Sequence, residues 1–308
     1  MDKRINLTLG QRLTDDTDSE YLGAEDSASQ LDFGELFSKE FTNIMPIYSS
    51  ANGPIEIYTA TRYGKRFILK GLKEQFRNDP IYTMNLAKEF EIGMQLDHPN
   101  IRRTLGLETV PGIGKVIVLE YVDGCMLDSL LDAEYMTSPT ARSIATQIAD
   151  ALRYIHSKQI FHRDLKPSNI LVSHQGNVVK IIDFNLSDSD DFIILKNPAG
   201  SRKYMAPEQL NPDARPTAVA DIYSFGVVVG ELATVSGDED LAQLAEKCRK
   251  HNPRKRPQSI AMLRIPGPGP SVANTMSRFL SSKTLTRILI GVITALAALI
   301  VFLMITND

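Results

Sequence analysis

The sequence predicts an α+β fold with a small β-rich half, then a larger helical half, and one transmembrane helix near the C-terminus. Alternating or β-branched segments at 55–59, 66–70 and 115–119 are typical of strands. After Gly124 the apolar residues recur with the spacing of helices. The run 288–305 contains eighteen residues and no charge. As a helix at ~1.5 Å per residue it would be about 27 Å long, close to the ~30 Å hydrocarbon core of a bilayer.

Composition and charge narrow the range of partners. The chain has 308 residues, of which 43% are hydrophobic and 23% are charged, and its net charge of −3 provides no basic field for nucleic acid. The two cysteines, Cys125 and Cys248, lie far apart and outside any Cys/His cluster. Two isolated cysteines indicate a reducing compartment. They predict neither a disulfide framework nor a zinc site. The stretch 15–32 holds seven acidic residues and no Lys or Arg, which predicts a disordered acidic tail.

The β-rich half is predicted to contain a hairpin and one helix. A turn at Tyr63 and Gly64 joins the first two strands. The helix is predicted over 84–96. Its buried face would carry residues spaced four apart, Leu86, Phe90 and Met94.

The helical half is predicted to begin with a long helix. Ser138 is a suitable cap, Pro139 suits the first turn, and the pattern continues to about His156. The Pro/Gly run 266–270 cannot continue a helix and ends the globular part. The buried stripe of the long helix would consist of Ile144, Ile148, Leu152 and Ile155.

The strongest signal of chemistry is the string HRDLKPSN at 162–169. The carboxylate of Asp164 can accept a hydroxyl proton and orient the attacking oxygen. The amide oxygen of Asn169 is a hard ligand suited to Mg²⁺, and Lys166 is a cation that can balance charge on a transferred phosphoryl group. This string resembles the catalytic loop of the eukaryotic-type protein kinases in its serine/threonine form.

Further motifs extend the resemblance toward the C-terminus. Asp183-Phe184-Asn185 follows a strand-like segment and resembles the Asp-Phe-Gly of these kinases, whose Asp binds Mg²⁺. Asn185 replaces the glycine, and Asn readily tolerates a left-handed backbone. Residues 200–208, which include Ser201, resemble the substrate-side end of an activation segment.

Three residues are assigned structural roles by the same resemblance. Asp221 would lie at the start of a long buried helix, and Arg256 would pair with Glu208. In the family these residues support the site and do not take part in the chemistry.

The β-rich half matches the nucleotide-binding part of the family. Lys70 ends a strand where the family has its phosphate-anchoring lysine, and Glu89 is its expected partner, with Glu91 as the alternative. The residues expected around ATP are Lys70, Glu89, Ser50, Asn52, Ile57, Ile68, Glu120 and Val122, with Leu119 guarding the adenine pocket.

The phosphate loop departs from the family pattern. Ser50, Asn52 and Ile55 stand at the three glycine positions, where bare backbone normally approaches the phosphates. Ile68 also stands where a small alanine normally faces adenine. Both changes crowd the nucleotide site.

The resemblance implies a bilobal protein-kinase fold that uses ATP and Mg²⁺ to phosphorylate Ser or Thr of protein substrates. Two alternatives remain open, a pseudokinase that acts as a membrane-bound scaffold or nucleotide sensor, and a small-molecule kinase. The expected organisation is a tail at 1–40, a small lobe and hinge at 41–124, a large lobe at 125–264, a linker at 265–285 and a membrane span at 286–306.

A regulatory expectation concerns Arg163, which in the family binds a phosphate on the activation segment. Either Ser187 or Ser189 would be autophosphorylated, or the neighbouring aspartates would already act as the anionic partner.

The expected location is a membrane, with a single-pass tail anchor and a cytoplasmic kinase domain. The span is preceded by basic residues, which stay preferentially on the cytoplasmic side. Gly291 and Ala295 would let two spans pack closely, so a weak homodimer stays open. The basic residues are Arg278, Lys283 and Arg287.

Overall fold

A computed structural model of the protein contains two parts of different architecture. The structure describes residues 39–51, 53–133, 135–184, 201–211, 215 and 217–267. The first part is a five-stranded sheet with one long helix against it, and the second part is mainly helical with a small three-stranded sheet. The predicted acidic tail and the predicted membrane span both lie outside the described residues.

The large sheet is antiparallel throughout and has the strand order β1-β2-β3-β5-β4. β3 therefore occupies the centre and has ladder partners on both sides, which fixes the backbone that carries Lys70. The strands are β1 (Thr42–Ser49), β2 (Ile55–Arg62), β3 (Lys65–Leu72), β4 (Thr104–Val110) and β5 (Gly114–Glu120).

The predicted hairpin is confirmed, since β2 and β3 pair without interruption as far as Arg62 and Lys65. Tyr63 and Gly64 form its two-residue turn with φ of 53° and 66°, the left-handed values that such hairpin turns require. β1 was not predicted. It is mostly exposed, contains Pro46 and has two register shifts, so it lacks the regular alternation that identifies a strand.

The helix predicted at 84–96 is displaced, and the prediction of its ends was wrong. The observed helix begins at Pro80 because Asp79 caps it, with the Asp79 carboxylate accepting from the Ile81 N–H at 2.8 Å. Met94 is 54% exposed, so it does not belong to the buried face as predicted. The five α-helices described are α1 (Pro80–Met94), α2 (Leu127–Asp132), α3 (Ser138–Ser157), α4 (Ala218–Ser236) and α5 (Glu239–Cys248).

The stripe predicted for α3 is confirmed, because Ile144, Ile148, Leu152 and Ile155 are all fully buried. Each such side chain contributes roughly 1.5–3 kcal/mol of transfer free energy, so this face anchors the helical part. The predicted cap was wrong by one residue, since the capping side chain is that of Thr137.

α4 is the only helix in the described ranges that is long and apolar enough to cross a membrane. Of its most apolar stretch of 18 residues, 61% is buried inside the protein, as expected for a core helix. It packs against both α3 and α5 in the same hydrophobic core.

The two parts are joined where the chain enters β4. The N–H of Ile181 donates to the Asn100 carbonyl at 2.9 Å, and the N–H of Arg102 donates to the Ile181 carbonyl at 3.0 Å. These bonds bring the end of the small sheet next to α1 and β3. The small sheet consists of β6 (Gly124–Met126), β7 (Ile170–Ser173) and β8 (Val179–Ile181).

Candidate active site

Three charged side chains from separate elements meet at this junction. Lys70 Nζ on β3 lies 2.5 Å from Glu89 Oε1 on α1 and 3.0 Å from Asp183 Oδ1, which follows β8. Lys70 is 3% exposed and Glu89 is 8% exposed. Glu91, the alternative partner considered for Lys70, is exposed. The structure therefore joins Lys70 to Glu89 rather than to Glu91.

Electrostatics keep this lysine charged. Burial opposes the ammonium charge of Lys70, but the attraction of Asp183 and Glu89 outweighs it and raises the pKa of Lys70 above its usual value. A buried ammonium fixed between two carboxylates is a preorganised binding group for an anion such as phosphate.

The residues of the HRDLKPSN string form a second group. Lys166 Nζ lies 2.7 Å from Asp164 Oδ2. Asn169 Nδ2 donates to Asp164 Oδ2 at 3.1 Å and to the Asp164 backbone carbonyl at 2.8 Å. The Lys166 ammonium and the Asn169 amide thus both hold Asp164 Oδ2.

The backbone of this loop is fixed by Asp221 at the start of α4. Its carboxylate accepts from the N–H groups of His162 and Arg163, both at 2.8 Å, and lies 2.8 Å from His156 Nε2. Arg163 and Asp183 have φ of 65° and 67°. Such left-handed non-glycine residues cost roughly 1–3 kcal/mol, and they persist where surrounding contacts determine the backbone.

The oxygen atoms of Asp183 and Asn169 suit a divalent cation. Both Asn169 side-chain hydrogen bonds described above use Nδ2, so Oδ1 is the atom that could ligate a metal. Within the described ranges, no group of three or more His, Cys, Asp or Glu side chains could hold a metal by itself. Mg²⁺ is usually held by one or two protein groups together with phosphate oxygens and water, so this donor set fits Mg²⁺.

The apolar residues expected around adenine share one surface of the large sheet. Ile57, Ile68 and Leu119 belong to the same hydrophobic cluster, and Ile68 pairs with Leu119 between β3 and β5. Ile68 is 7% exposed, so its side chain is packed within this cluster. Crowding of the nucleotide site by Ile68 stays a prediction.

Glu120 is the last residue of β5, directly before the segment that joins the two parts. The Glu120 N–H donates to the Arg103 carbonyl at 3.0 Å, so the Glu120 carbonyl is the backbone group of this residue that remains suited to adenine. The Glu120 carboxylate pairs with Lys180 on β8 at 3.0 Å. Val122, the other residue expected to contact adenine, is half-buried.

The loop between β1 and β2 is a short closed turn. The Ser50 N–H donates to the Ile55 carbonyl at 3.0 Å, and the Lys73 N–H donates to the Pro54 carbonyl at 2.8 Å. The Lys73 ammonium also donates to the Ser50 carbonyl. Asn52 lies outside the described residues. The turn is therefore held against the end of β3.

Glu208 and Arg256, which were expected to pair, form a partly buried ion pair. Arg256 NH1 and NH2 lie 2.6 and 2.8 Å from the two carboxylate oxygens of Glu208, and the Arg256 side chain is fully buried. Ser201 begins a short 3₁₀ helix, Ser201–Lys203. Asn185, Ser187 and Ser189 lie outside the described residues.

Several residues at the site were not predicted from the sequence. Lys73 donates to the Ser50 carbonyl, Lys180 pairs with Glu120, and Gln209 Nε2 donates to the Arg163 carbonyl at 3.2 Å. Lys180 gave one signal, since it is a lone charge inside an otherwise apolar strand. Lys73 and Gln209 gave none, because their partners are distant in sequence.

Comparison with known proteins gives a family match over this region. A family model described as the protein kinase domain matches residues 51–237. That range contains Lys70, Glu89, Asp164, Asn169 and Asp183.

Curated relatives of this chain include protein kinases from plants and from bacteria. The chain is 37% identical over 174 residues to mitogen-activated protein kinase kinase kinase 1b of Physcomitrium patens, covering 56% of this chain and 22% of that protein. It is 35% identical over 170 residues to serine/threonine-protein kinase PrkC of Bacillus subtilis, covering 54% of this chain and 26% of that protein. For mitogen-activated protein kinase kinase 7 of Arabidopsis thaliana the identity is 35% over 175 residues, covering 55% of each protein. The alignments thus cover only about a fifth to about half the length of these relatives.

Proposed function

Because this chain belongs to the protein kinase family, we propose that it transfers the γ-phosphate of ATP to Ser or Thr hydroxyls of protein substrates. The observation that carries the proposal is the contact of Lys70 with Glu89 and Asp183 at 2.5 and 3.0 Å. It supplies a charged, positioned cation for phosphate and a carboxylate for a metal in one place.

Each residue of the site has a distinct role in the proposed reaction. Lys70, positioned by Glu89, binds the α- and β-phosphates. Asp183 and Asn169 would hold Mg²⁺, which would supply positive charge to neutralise the phosphates. Such a reaction depends mainly on positioning and electrostatics.

The acceptor side of the reaction belongs to the catalytic loop. Asp164 orients the substrate hydroxyl and accepts its proton, and Lys166, 2.7 Å from Asp164, stabilises the charge on the transferred group. Ser/Thr specificity is supported by the HRDLKPSN string and by relatives that are named serine/threonine kinases.

The proposal is tested with a degenerate peptide library that offers Ser, Thr or Tyr as the single acceptor. The full chain, incubated with ATP and Mg²⁺, should phosphorylate the Ser and Thr sets and leave the Tyr set at the level of a Lys70→Met control. Transfer to Tyr alone, or equal signal from the control, would contradict it.

A pseudokinase is the second candidate function, favoured by the closed turn at Ser50 to Ile55 and by Ile68 beside Leu119. In that case the protein would bind nucleotide or a partner without phosphoryl transfer. Binding of ATP by calorimetry with no product in the peptide assay would identify it.

The phosphate loop gives a prediction on affinity. Replacing Ser50, Asn52 and Ile55 together with Gly should tighten ATP binding about tenfold, since one charge-assisted backbone hydrogen bond to phosphate contributes about 1.5 kcal/mol. Calorimetry on the full chain measures the change.

The ATP affinity of Lys73→Ala is compared with that of the triple-glycine variant. Lys73→Ala removes the side-chain contact to the Ser50 carbonyl but keeps the loop sequence. An ATP affinity that stays unchanged in the triple-glycine variant would mean that the loop does not limit binding.

Arg163 gives a prediction on regulation. Arg163→Ala should lower activity whether the anionic partner is a phosphate on Ser187 or Ser189 or the neighbouring aspartates, because both arrangements need this cation. Mass spectrometry of the purified protein identifies which partner is used. Wild-type activity in Arg163→Ala would contradict the regulatory role.

A membrane location is also part of the proposal, with the run 288–305 as the span and the kinase domain on the cytoplasmic side. Arg278, Lys283 and Arg287 precede the span, and basic residues are retained on that side. ATP and reducing conditions for the cysteines are found there as well.

The membrane prediction is checked by protease treatment of intact cells and by carbonate extraction of membranes. We expect a protected kinase domain and a protein that resists extraction. Digestion of the domain from outside would reverse the orientation, and release by carbonate would exclude a span.

A further inference from the structure

A cavity lies behind the Lys70–Glu89 pair, between α1, the strands β4 and β5, and the segment after β8. We call it the rear cavity. Most of its lining is small or apolar, but three ionisable residues also face it, namely Glu89, Arg102 and Asp183. The remaining lining residues are Gly93, Thr104, Ile117, Leu119, Ile182 and Phe184.

Arg102 is a cation in this cavity that the proposed reaction does not use. It lies just before β4, where its backbone N–H bonds to Ile181. Burial lowers the pKa of the Arg102 guanidinium, and the carboxylates of Glu89, Asp183 and Glu120 oppose this shift. The charge of Arg102 thus lies within the electrostatic reach of the Lys70–Glu89–Asp183 cluster.

Glu89 has a buried oxygen that its known partner does not satisfy. Oε1 lies 2.5 Å from Lys70 Nζ, whereas Oε2 is buried with no hydrogen-bond partner among the described residues. Burial raises the pKa of Glu89, and both Lys70 and Arg102 counteract that effect by their charge. An uncompensated buried carboxylate is costly, so a second cation facing the same cavity has an evident role.

One wall of the cavity is formed where α1 approaches β4 closely. α1 presents Gly93 there, and a Cβ on Gly93 would lie 2.1 Å from Thr104 Oγ1. Any larger residue at Gly93 would therefore push against β4. The close contact between α1 and β4 depends on this glycine, and it brings Arg102, two residues before Thr104, near Glu89.

We propose that Arg102 is a positioning residue that balances the charge of Glu89 and thereby keeps α1 in the place where Glu89 orients Lys70. The cluster contains two carboxylates, Glu89 and Asp183, and without Arg102 it would contain a single cation, Lys70. Arg102 brings the formal charge of the cluster to zero. It also keeps Glu89 balanced when Lys70 and Asp183 are engaged by nucleotide and metal, a part of the proposal that rests on the proposed function.

The test compares Arg102→Met, Arg102→Lys and a matched control, Arg103→Met, in the full chain. Arg103 is the adjacent arginine, and its side chain is 58% exposed. Hydrogen exchange of the α1 amides is measured without nucleotide, and affinity for ATP with Mg²⁺ is measured by calorimetry. Each variant is also made in a Glu89→Gln background, where the charge of Glu89 is absent.

We expect Arg102→Met to speed hydrogen exchange of the α1 amides about tenfold. This change corresponds to a decrease of about 1.4 kcal/mol in the free energy of opening α1. Arg102→Lys should keep most of the protection of the α1 amides, and Arg103→Met should leave their exchange rates unchanged. In the Glu89→Gln background Arg102→Met should have no further effect, because the charge that it balances is gone. Arg102→Gln serves as a second neutral variant if Arg102→Met does not fold.

Equal effects of Arg102→Met in both backgrounds, or an Arg102→Lys variant as impaired as Arg102→Met, would overturn the inference, since packing rather than charge would then explain the result. The exchange experiment uses no nucleotide. The variants could therefore show the coupling between Arg102 and Glu89 while the wild-type protein binds no ATP. That result would support the role of Arg102 and contradict the proposed function.

Discussion

Replacing Asp164 with Asn is expected to slow phosphoryl transfer by about 10²–10⁴-fold, the usual cost of losing a positioned general base. The amide of the variant keeps the shape of the side chain but cannot accept the hydroxyl proton. Lys166, 2.7 Å from Asp164 Oδ2, would also lose its anionic partner. The measurement is the transfer rate at saturating ATP and Mg²⁺.

The fold should survive this substitution, because Asp164 is partly exposed and the loop backbone is fixed independently by Asp221. Asp150→Asn is the matched control, since Asp150 is an exposed aspartate paired with Arg153 on α3. A wild-type rate in Asp164→Asn, or an equal loss in Asp150→Asn, would remove the catalytic assignment.

Replacing Asp183 with Ala is expected to have a comparably large effect on transfer, because the site loses the carboxylate proposed to hold Mg²⁺. The thermal unfolding midpoint should stay near that of the wild type. The variant loses one ion pair with Lys70, but the buried pair of Lys70 with Glu89 at 2.5 Å remains, and Glu89 is relieved of the repulsion from Asp183.

The second prediction is checked by measuring how ATP affinity depends on the Mg²⁺ concentration. The wild type should bind ATP more tightly as Mg²⁺ rises, and Asp183→Ala should lose most of that dependence. Unchanged Mg²⁺ dependence together with an unchanged rate would show that Asp183 is not the metal-binding residue.

The sequence predicted best the elements that bury one apolar face and expose the other. α3 has a continuous apolar stripe, and all four predicted positions are fully buried. α1 buries Leu86 as predicted, but it also buries the charged Glu89 and exposes Met94, so its apolar pattern misleads about its ends and about Met94. β1 is an edge strand with an interrupted ladder, and local periodicity could not identify it.

The residues of the candidate site also divide into those that the sequence could predict and those that it could not. Lys70, Asp164 and Asp183 could be selected from the sequence because motifs with a recognisable resemblance carry them. Arg102 and Lys73 could not be selected, because their roles depend on which distant backbone lies beside them. Lys73 contacts Ser50 only because the turn before β2 is closed against the end of β3.

Transfer of label from γ-labelled ATP tests most directly whether this arrangement of residues catalyses phosphoryl transfer. The full chain and its Asp164→Asn variant would be incubated with Mg²⁺ and a general protein substrate, and the phosphorylated amino acids would then be identified. We expect label on Ser and Thr with the wild type and almost none with the variant. Wild-type protein that binds ATP but transfers no more label than Asp164→Asn would contradict the proposed kinase activity and favour a pseudokinase.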